Sequence, residues 1–368
     1  MSRRGVLISV ATAGIAAVVA TTAFVANGDG EPKPADQALE HNDMVTGTVW
    51  VANEDGAGLT AIDASKNKVA TTLTGIEGPH NVQVSPDGRT LWAVSGPKSL
   101  AVMVDAKTLG LHGTVPTGSM PAHVVVSPDG KTTYVTNNAD NTVSAIDTTT
   151  GEPVATIPVG SGPHGLRPSP DGKWVYVANI TGTTLSVIDT TTNKQVAEVE
   201  VGKSPAQVAF SPDQRFVYAS VNGENAVAKV DIATRKLVGK IKVGVGPIQT
   251  YVSPDNRYLL VANQGTEGKP STTVSILETK TFKVLRTVQT GKGAHGIVID
   301  PSSRHAYITN IYGNDVAVLD LKALEVVARI PSGSKPNGIS FSPVTVSSRP
   351  DPKVELPLNP DGGNEMTH

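Results

Sequence analysis

Between residues 121 and 162, apolar and β-branched residues fall into four short runs, at 124–126, 133–136, 143–146 and 154–159. Polar turn segments separate them. Ser127-Pro128-Asp129-Gly130 follows the first run, with Pro fixing φ at the first turn position and Gly accepting positive φ. Asn137-Asn138-Ala139-Asp140-Asn141 is a loop, and Asp147-Thr148-Thr149-Thr150-Gly151 is a second turn. Runs this short, enriched in Val, Ile, Thr and Tyr and joined by tight turns, predict a four-stranded antiparallel meander.

The pattern recurs. Anchored on Pro121, equivalent positions fall at Pro79, Pro163, Pro205, Pro247, Ala294 and Pro336, with successive gaps of 42, 42, 42, 42, 47 and 42 residues. One such sheet cannot bury both faces alone. Stacking copies radially around an axis buries them, which predicts a β-propeller. A solenoid would pair strands between repeats, whereas each unit here closes on itself by hairpins. The second to fourth strands occur in seven sets, beginning near Thr48, Thr90, Thr132, Lys173, Arg215, Arg257 and His305. The last copy of the first strand follows all of them. The expectation is an all-β, seven-bladed propeller of four-stranded antiparallel blades, in which the C-terminal strand 336–342 completes blade one and removes the open edge.

The motif Tyr134-Val135-Thr136-Asn137 resembles that of the YVTN-repeat propellers, the YncE-like and surface-layer-type family. Variants stand at Trp50-Val51-Ala52-Asn53, Tyr176-Val177-Ala178-Asn179, Leu260-Val261-Ala262-Asn263 and Tyr307-Ile308-Thr309-Asn310. Blade two (Trp92-Ala93-Val94-Ser95) and blade five (Tyr218-Ala219-Ser220-Val221) lack the Asn. The resemblance implies the fold over 47–343. It implies little chemistry, because the family includes surface proteins and binding proteins alike.

Composition narrows the rest. Net charge is −2 with both signs interspersed, which gives no electrostatic footprint for nucleic acid. With no cysteine, the chain has no disulfide, thiolate metal site or cysteine nucleophile. Arg3 and Arg4 precede an uncharged stretch, 5–26, with small residues near Ala23 and Ala26. This reads as a signal peptide, of a form resembling twin-arginine signals, or as a retained membrane anchor. Residues 1–26 are therefore expected to direct export, 27–46 to form a linker, 47–343 the propeller and 344–368 a disordered tail. The protein is expected to be an extracytoplasmic monomer, secreted or anchored, touching a membrane through the N-terminal segment alone.

Strand direction places the start of every first strand and the loop after every YVTN motif on one rim, called the top. The two residues after each anchor are His80-Asn81, Ala122-His123, His164-Gly165, Ala206-Gln207, Ile248-Gln249, His295-Gly296 and Asn337-Gly338. Every blade thus offers an imidazole or an amide, and four of the chain's eight histidines lie in these 14 positions. Neutral imidazoles suit copper or zinc. His80, His123, His164 and His295 are the candidate metal ligands, with His123 less surely placed because strand alternation turns it from the others. Asn81, Gln207, Gln249 and Asn337, with Arg167 interrupting an otherwise apolar inner strand, are candidate ligand-binding residues. Copper-bearing propellers also place histidines at the hub, and the sequence resembles them in that respect alone.

Other features read as structure. The repeated Asp63, Asp105, Asp147, Asp189, Asp231 and Asp320 sit once per blade at bottom turns, where carboxylates cap backbone N–H groups. Glu54, Asp55, Asp140, Glu224 and Asp315 in the rim loops are charges of the kind usually solvated. Gly291-x-Gly293-x-x-Gly296 fits a dinucleotide fingerprint in letters, but it joins two strands and opens no helix. The five extra residues of the 47-residue repeat lengthen the top loop of blade six, 264–271. The first expectation is a binding or scaffold protein holding a small molecule, peptide or protein at the top rim and channel. The alternative is a copper- or zinc-dependent enzyme or metal carrier; a propeller hydrolase of lactones or sugars ranks last. The residues leave open whether the protein is an enzyme.

Overall fold

The structure, a computed structural model, describes residues 45–357. The expected signal or anchor and residues 27–44 of the linker lie outside the described residues, as do 358–368. Seven four-stranded antiparallel sheets stand side by side. Blade three shows the unit: β8 (Pro121–Val126), β9 (Thr132–Asn137), β10 (Thr142–Asp147) and β11 (Pro153–Pro158) pair in sequence order. Blade one is the exception. Its first strand is β28 (Pro336–Ser342), which pairs with β1 (Thr48–Asn53) through Thr48↔Ser342 and Val51↔Ile339. The C-terminus thus closes the ring as the repeat count requires. Among the described residues a 3-10 turn, Asn222–Glu224, is the one helical element, and no helix is long and apolar enough to cross a membrane.

Local chemistry repeats from blade to blade. In the bottom turn of blade three, Ser127 Oγ donates to Asp129 Oδ1 (2.6 Å), which also accepts the Lys131 N–H (3.1 Å). Gly130 supplies φ of 72°, and Gln214 takes the equivalent conformation at 60° in blade five. The other bottom turn uses Asp147 Oδ1 to accept the N–H groups of Thr149 and Thr150. The repeated aspartates are turn caps, as their position suggested. The YVTN asparagine is also structural. Asn137 Nδ2 donates to Thr142 and Ser144 in the next strand, and its Oδ1 accepts the N–H of Gly118 from the preceding blade link.

The core lies between blades. One cluster joins Tyr176 and Val187 of blade four to Val208, Val217 and Ala228 of blade five. Each large side chain buried in such a seam contributes about 1.5–3 kcal/mol, so a blade is stabilised chiefly by its neighbours.

Residues 344–357 depart from the expected tail. They run along the outside of blades one and two. Thr74 N–H donates to Pro352 O (3.0 Å) and Val354 N–H returns to Thr74 O (2.9 Å) on the outer strand β3 (Lys68–Thr74). Val346 and Val354 are buried in the same cluster as Trp50, Leu91 and Val102. The segment's prolines and polar residues obscured these apolar anchors, whose contacts exist only once the outer edge of blade one is in place.

Candidate functional site

The first strands β4 (Val82–Val84), β8, β12 (Pro163–Pro168), β16 (Pro205–Phe210), β20 (Pro247–Val252), β24 (Ala294–Ile299) and β28 pack against one another around the axis. Near the top, their pairing with the second strands is irregular. The register breaks between Pro121 and Val124, between Pro163 and Leu166, and at the corresponding points of blades one, five, six and seven. Such bulges release the residues within them from strict alternation. The hydroxyl at the third YVTN position fills the gap. Thr136 Oγ1 accepts the His123 N–H (3.0 Å) and donates to the His164 carbonyl of the next blade (2.8 Å). Ser220 and Thr309 bridge the same way in blades five and seven.

This irregularity brings His123 into the cluster. Its ring centroid lies 5.4 Å from that of His80 and 4.7 Å from that of His164. One ring nitrogen from each of His80, His123 and His164 lies within 4.8 Å of the other two. His295 stands further out, its centroid 6.3 Å from that of His80. The expected set of His80, His164 and His295 with His123 in doubt is thus reordered: His123 belongs to the close trio and His295 is the outlying member.

Each imidazole has a different partner. His80 Nε2 faces His164 Nε2 at 3.2 Å. His164 Nδ1 lies 2.9 Å from the Ala206 carbonyl. A carbonyl can only accept, so Nδ1 carries the proton and the Nε2 lone pair points at His80. His295 Nδ1 lies 3.0 Å from Gln264 Oε1, which also leaves its Nε2 as a lone pair. The Nε2 atoms of His123 and His295 are buried without a hydrogen-bond partner. Burial lowers His164 to about 4 and His295 to about 3, aided by the neighbouring imidazoles, and drives His123 well below the ordinary histidine value. These three rings are therefore neutral and ready to act as ligands at neutral pH.

Two residues outside the expected set complete the site, and one of them, Glu54, was expected to be merely solvated. Glu54, in the loop after the first YVTN variant, approaches His80 Nδ1 at 3.5 Å and accepts from Asn337 Nδ2 at 2.9 Å. Its hydrogen bond to His80 holds the Glu54 carboxyl down at about 2, against the burial that would raise it. Gln264 comes from the lengthened hairpin of blade six, and its Nε2 donates to the Tyr312 hydroxyl (2.9 Å). The extra loop length was the only sequence signal for it.

The expected amides divide. Asn337 sits between Glu54 and His80, and Gln207 Nε2 lies 3.5 Å from His123 Nδ1. Asn81 Oδ1 instead accepts the Val124 N–H and Gln249 Oε1 the Ile297 N–H, so both tie neighbouring blades together. Arg167 lies further down the channel. A pocket of about 690 Å³ opens beside the cluster, and its lining includes Glu54, His80 and His164 together with Pro97, Met120 and Ile180.

The donor set fits a transition-metal ion. With metal–nitrogen bonds of 2.0–2.1 Å, two ligands of a tetrahedral ion stand about 3.3 Å apart, close to the 3.2 Å between His80 and His164 Nε2. The outer nitrogens face a carboxylate and a carbonyl, the partners that usually orient metal-binding imidazoles.

The profile of the family described as "YNCE-like beta-propeller" matches residues 101–349. No curated protein sequence matches the chain. Among solved structures, a chain of hydrazine synthase from Kuenenia stuttgartiensis is 27% identical over 73% of this chain and 91% of that one, with a TM-score of 0.66. A functionally unknown protein from Desulfotomaculum acetoxidans is 14% identical, over 81% and 99%, at 0.71. The dihydro-heme d1 dehydrogenase NirN, solved in complex with DHE, is 18% identical, over 81% and 65%, at 0.60. The last two likenesses show the fold alone.

Proposed function

The chain belongs to the YNCE-like β-propeller family, and from that premise we propose that it is a binding protein whose ligand is a copper or zinc ion at the top of the channel. The observation that carries this reading is the convergence of four imidazoles, two with buried Nε2 atoms that have no partner. Leaving a buried polar atom unpaired costs about 1–3 kcal/mol each, and a cation among them removes that cost. Without cysteine, the site is all imidazole with a carboxylate behind it, which suits copper(II) or zinc.

The residues divide the work. His80, His123 and His164 would each supply a ring nitrogen, His123 with its proton shifted away from the ligating atom, and His295 stands by as a fourth. Without a cation, His80 Nε2 faces the His164 Nε2 lone pair at 3.2 Å, and the Asn337 amide nitrogen lies 3.0 Å from His80 Nδ1. A cation held by His80 Nε2 would require the His80 proton on Nδ1, which lies 3.5 Å from Glu54 Oε1. Glu54 thus positions His80 and offsets the incoming charge. His80 and His164 also border the 690 Å³ pocket, whose Met, Pro and Ile wall favours a small organic molecule beside the ion. That opening is the one observation favouring an enzyme, because catalytic zinc sites keep a coordination position open. The basic pair Arg3-Arg4 and the uncharged run 5–26 support placing this activity outside the cytoplasm.

Metal content of untagged protein, loaded with copper or zinc and desalted, tests the reading. One ion per chain is expected, with loss in His80→Ala, His123→Ala and His164→Ala and weakening in His295→Ala. Wild-type protein that retains neither metal would sink it.

A further inference from the structure

Four residues below each anchor, the inner strands present a second ring: Gln83, Val125, Arg167, Ala209, Tyr251, Val298 and Ser340. Arg167 is its one charged member. Arg167 Nη1 donates to Gln83 Oε1 at 3.1 Å, across two blades, and its Cζ lies 5.7 Å from the ring centre of Tyr251, two blades the other way. A side chain that reaches blades two and six from blade four lies across the channel. Gln83 and Tyr251 are both neutral, and among the described residues no carboxylate forms an ion pair with the guanidinium. The Arg167 side chain is half-buried, and cations withdrawn from water are usually paired with an anion. Burial accordingly pulls the Arg167 pKa down.

The guanidinium also forms a wall of two recesses toward the bottom of the channel. One, of about 180 Å³, is lined by Pro168, Phe210 and Val252. The other, of about 280 Å³, is lined by Ile299, Pro301 and Phe341. Tyr251 borders both. The nearby bottom-turn aspartates do not supply a counter-ion, because Asp129, Asp171, Asp213 and Asp255 each hold a turn serine and a turn N–H. Lys131 and Lys173 pair with Asp129 and Asp171 at 3.9 and 3.4 Å. Arg167 has five N–H donors in a planar fork, of which Gln83 takes one, and a carboxylate is the partner that such a fork engages through two parallel bonds.

We propose that the lower channel is a second binding site, distinct from the histidine cluster, that takes a small organic carboxylate: Arg167 holds the carboxylate, and the Phe210 or Phe341 recess holds its apolar body. The apolar lining distinguishes this ligand from an inorganic anion, and the single cation distinguishes it from a dicarboxylate.

Calorimetric titration of the whole protein with benzoate, benzamide and inorganic phosphate tests the proposal. Benzoate is expected to bind in the millimolar range or tighter, with benzamide and phosphate at least tenfold weaker. Arg167→Gln should weaken benzoate at least tenfold. Arg167→Lys, which keeps the charge but not the fork, should fall between, and its melting curve reports whether the channel is intact. Wild-type protein should bind benzoate equally with and without added zinc, so a failure of the metal reading leaves this result untouched. Absence of benzoate binding, equal binding by Arg167→Gln, or phosphate binding as tightly as benzoate would each overturn it.

Discussion

The top and bottom rims of this propeller carry similar residue types and use them differently. At the bottom, carboxylates answer their own turns: Asp129 holds Ser127 and Lys131, and Asp147 holds Thr149 and Thr150. At the top, Glu54 answers a different blade's imidazole and an amide from the far end of the chain. The cause is backbone geometry. A bottom turn presents its N–H groups to the nearest side-chain oxygen, even though the outer-strand pairing beside it also shifts register. At the top, the inner-strand pairing breaks beside the axis, Thr136 and its equivalents fill the gap, and His123 joins the hub cluster. A break beside the axis, where seven strands converge, is the one at which side chains from distant parts of the sequence meet.

Substitutions should separate the rims most sharply at the histidines. His164→Ala is expected to weaken copper or zinc binding about 100-fold or more, while Asp129→Ala and Asp213→Ala leave it unchanged, as read by competition with a chromogenic chelator. Glu54→Gln removes the carboxylate behind His80 and should cost about 10–100-fold in metal affinity. A Glu54→Gln protein that binds metal as tightly as the wild type would show that Glu54 is merely solvated.

Thr136→Val tests the bridge between blades. It strands the His123 N–H and the His164 carbonyl, and a loss of about 1–3 kcal/mol is expected in denaturant unfolding. The same measurement on Asp147→Ala, at an exposed bottom turn, should show a smaller loss.

Acidification separates the rims more gradually. In the metal-free protein, His164 and His295 have folded values of about 4 and about 3, below the ordinary 6.5. The unfolded chain therefore takes up these protons first, and the stability tied to neutral imidazoles is lost as pH falls from about 6.5 toward 3. Glu54, lowered from 4.5 to about 2, adds a loss from about 4.5 through 2. The melting temperature should fall with pH across this window, and His164→Gln should flatten the upper part of the curve. The smallest expected effect is that of Gln264→Ala, a few-fold loss of metal affinity, since the amide only orients the outlying His295.

The sequence by itself determined whatever repeats. The 42-residue period, the Ser-Pro-Asp turns and the displaced last copy of the first strand specified seven blades and their closure through β28, because turn chemistry and strand alternation act over a few residues. It also marked the hub histidines, through their fixed offset from each anchor. The tertiary structure decided which side chains meet. His123 joined the trio because the strand is irregular where alternation was assumed, and the partnership of Glu54 with Asn337 spans 283 residues. Gln264 reaches His295 from a loop in the neighbouring blade, and residues 344–357 found their place only against the outer edge of blade one. Such pairs lie far apart in the chain and come together only when the ring closes, so no local pattern encodes them.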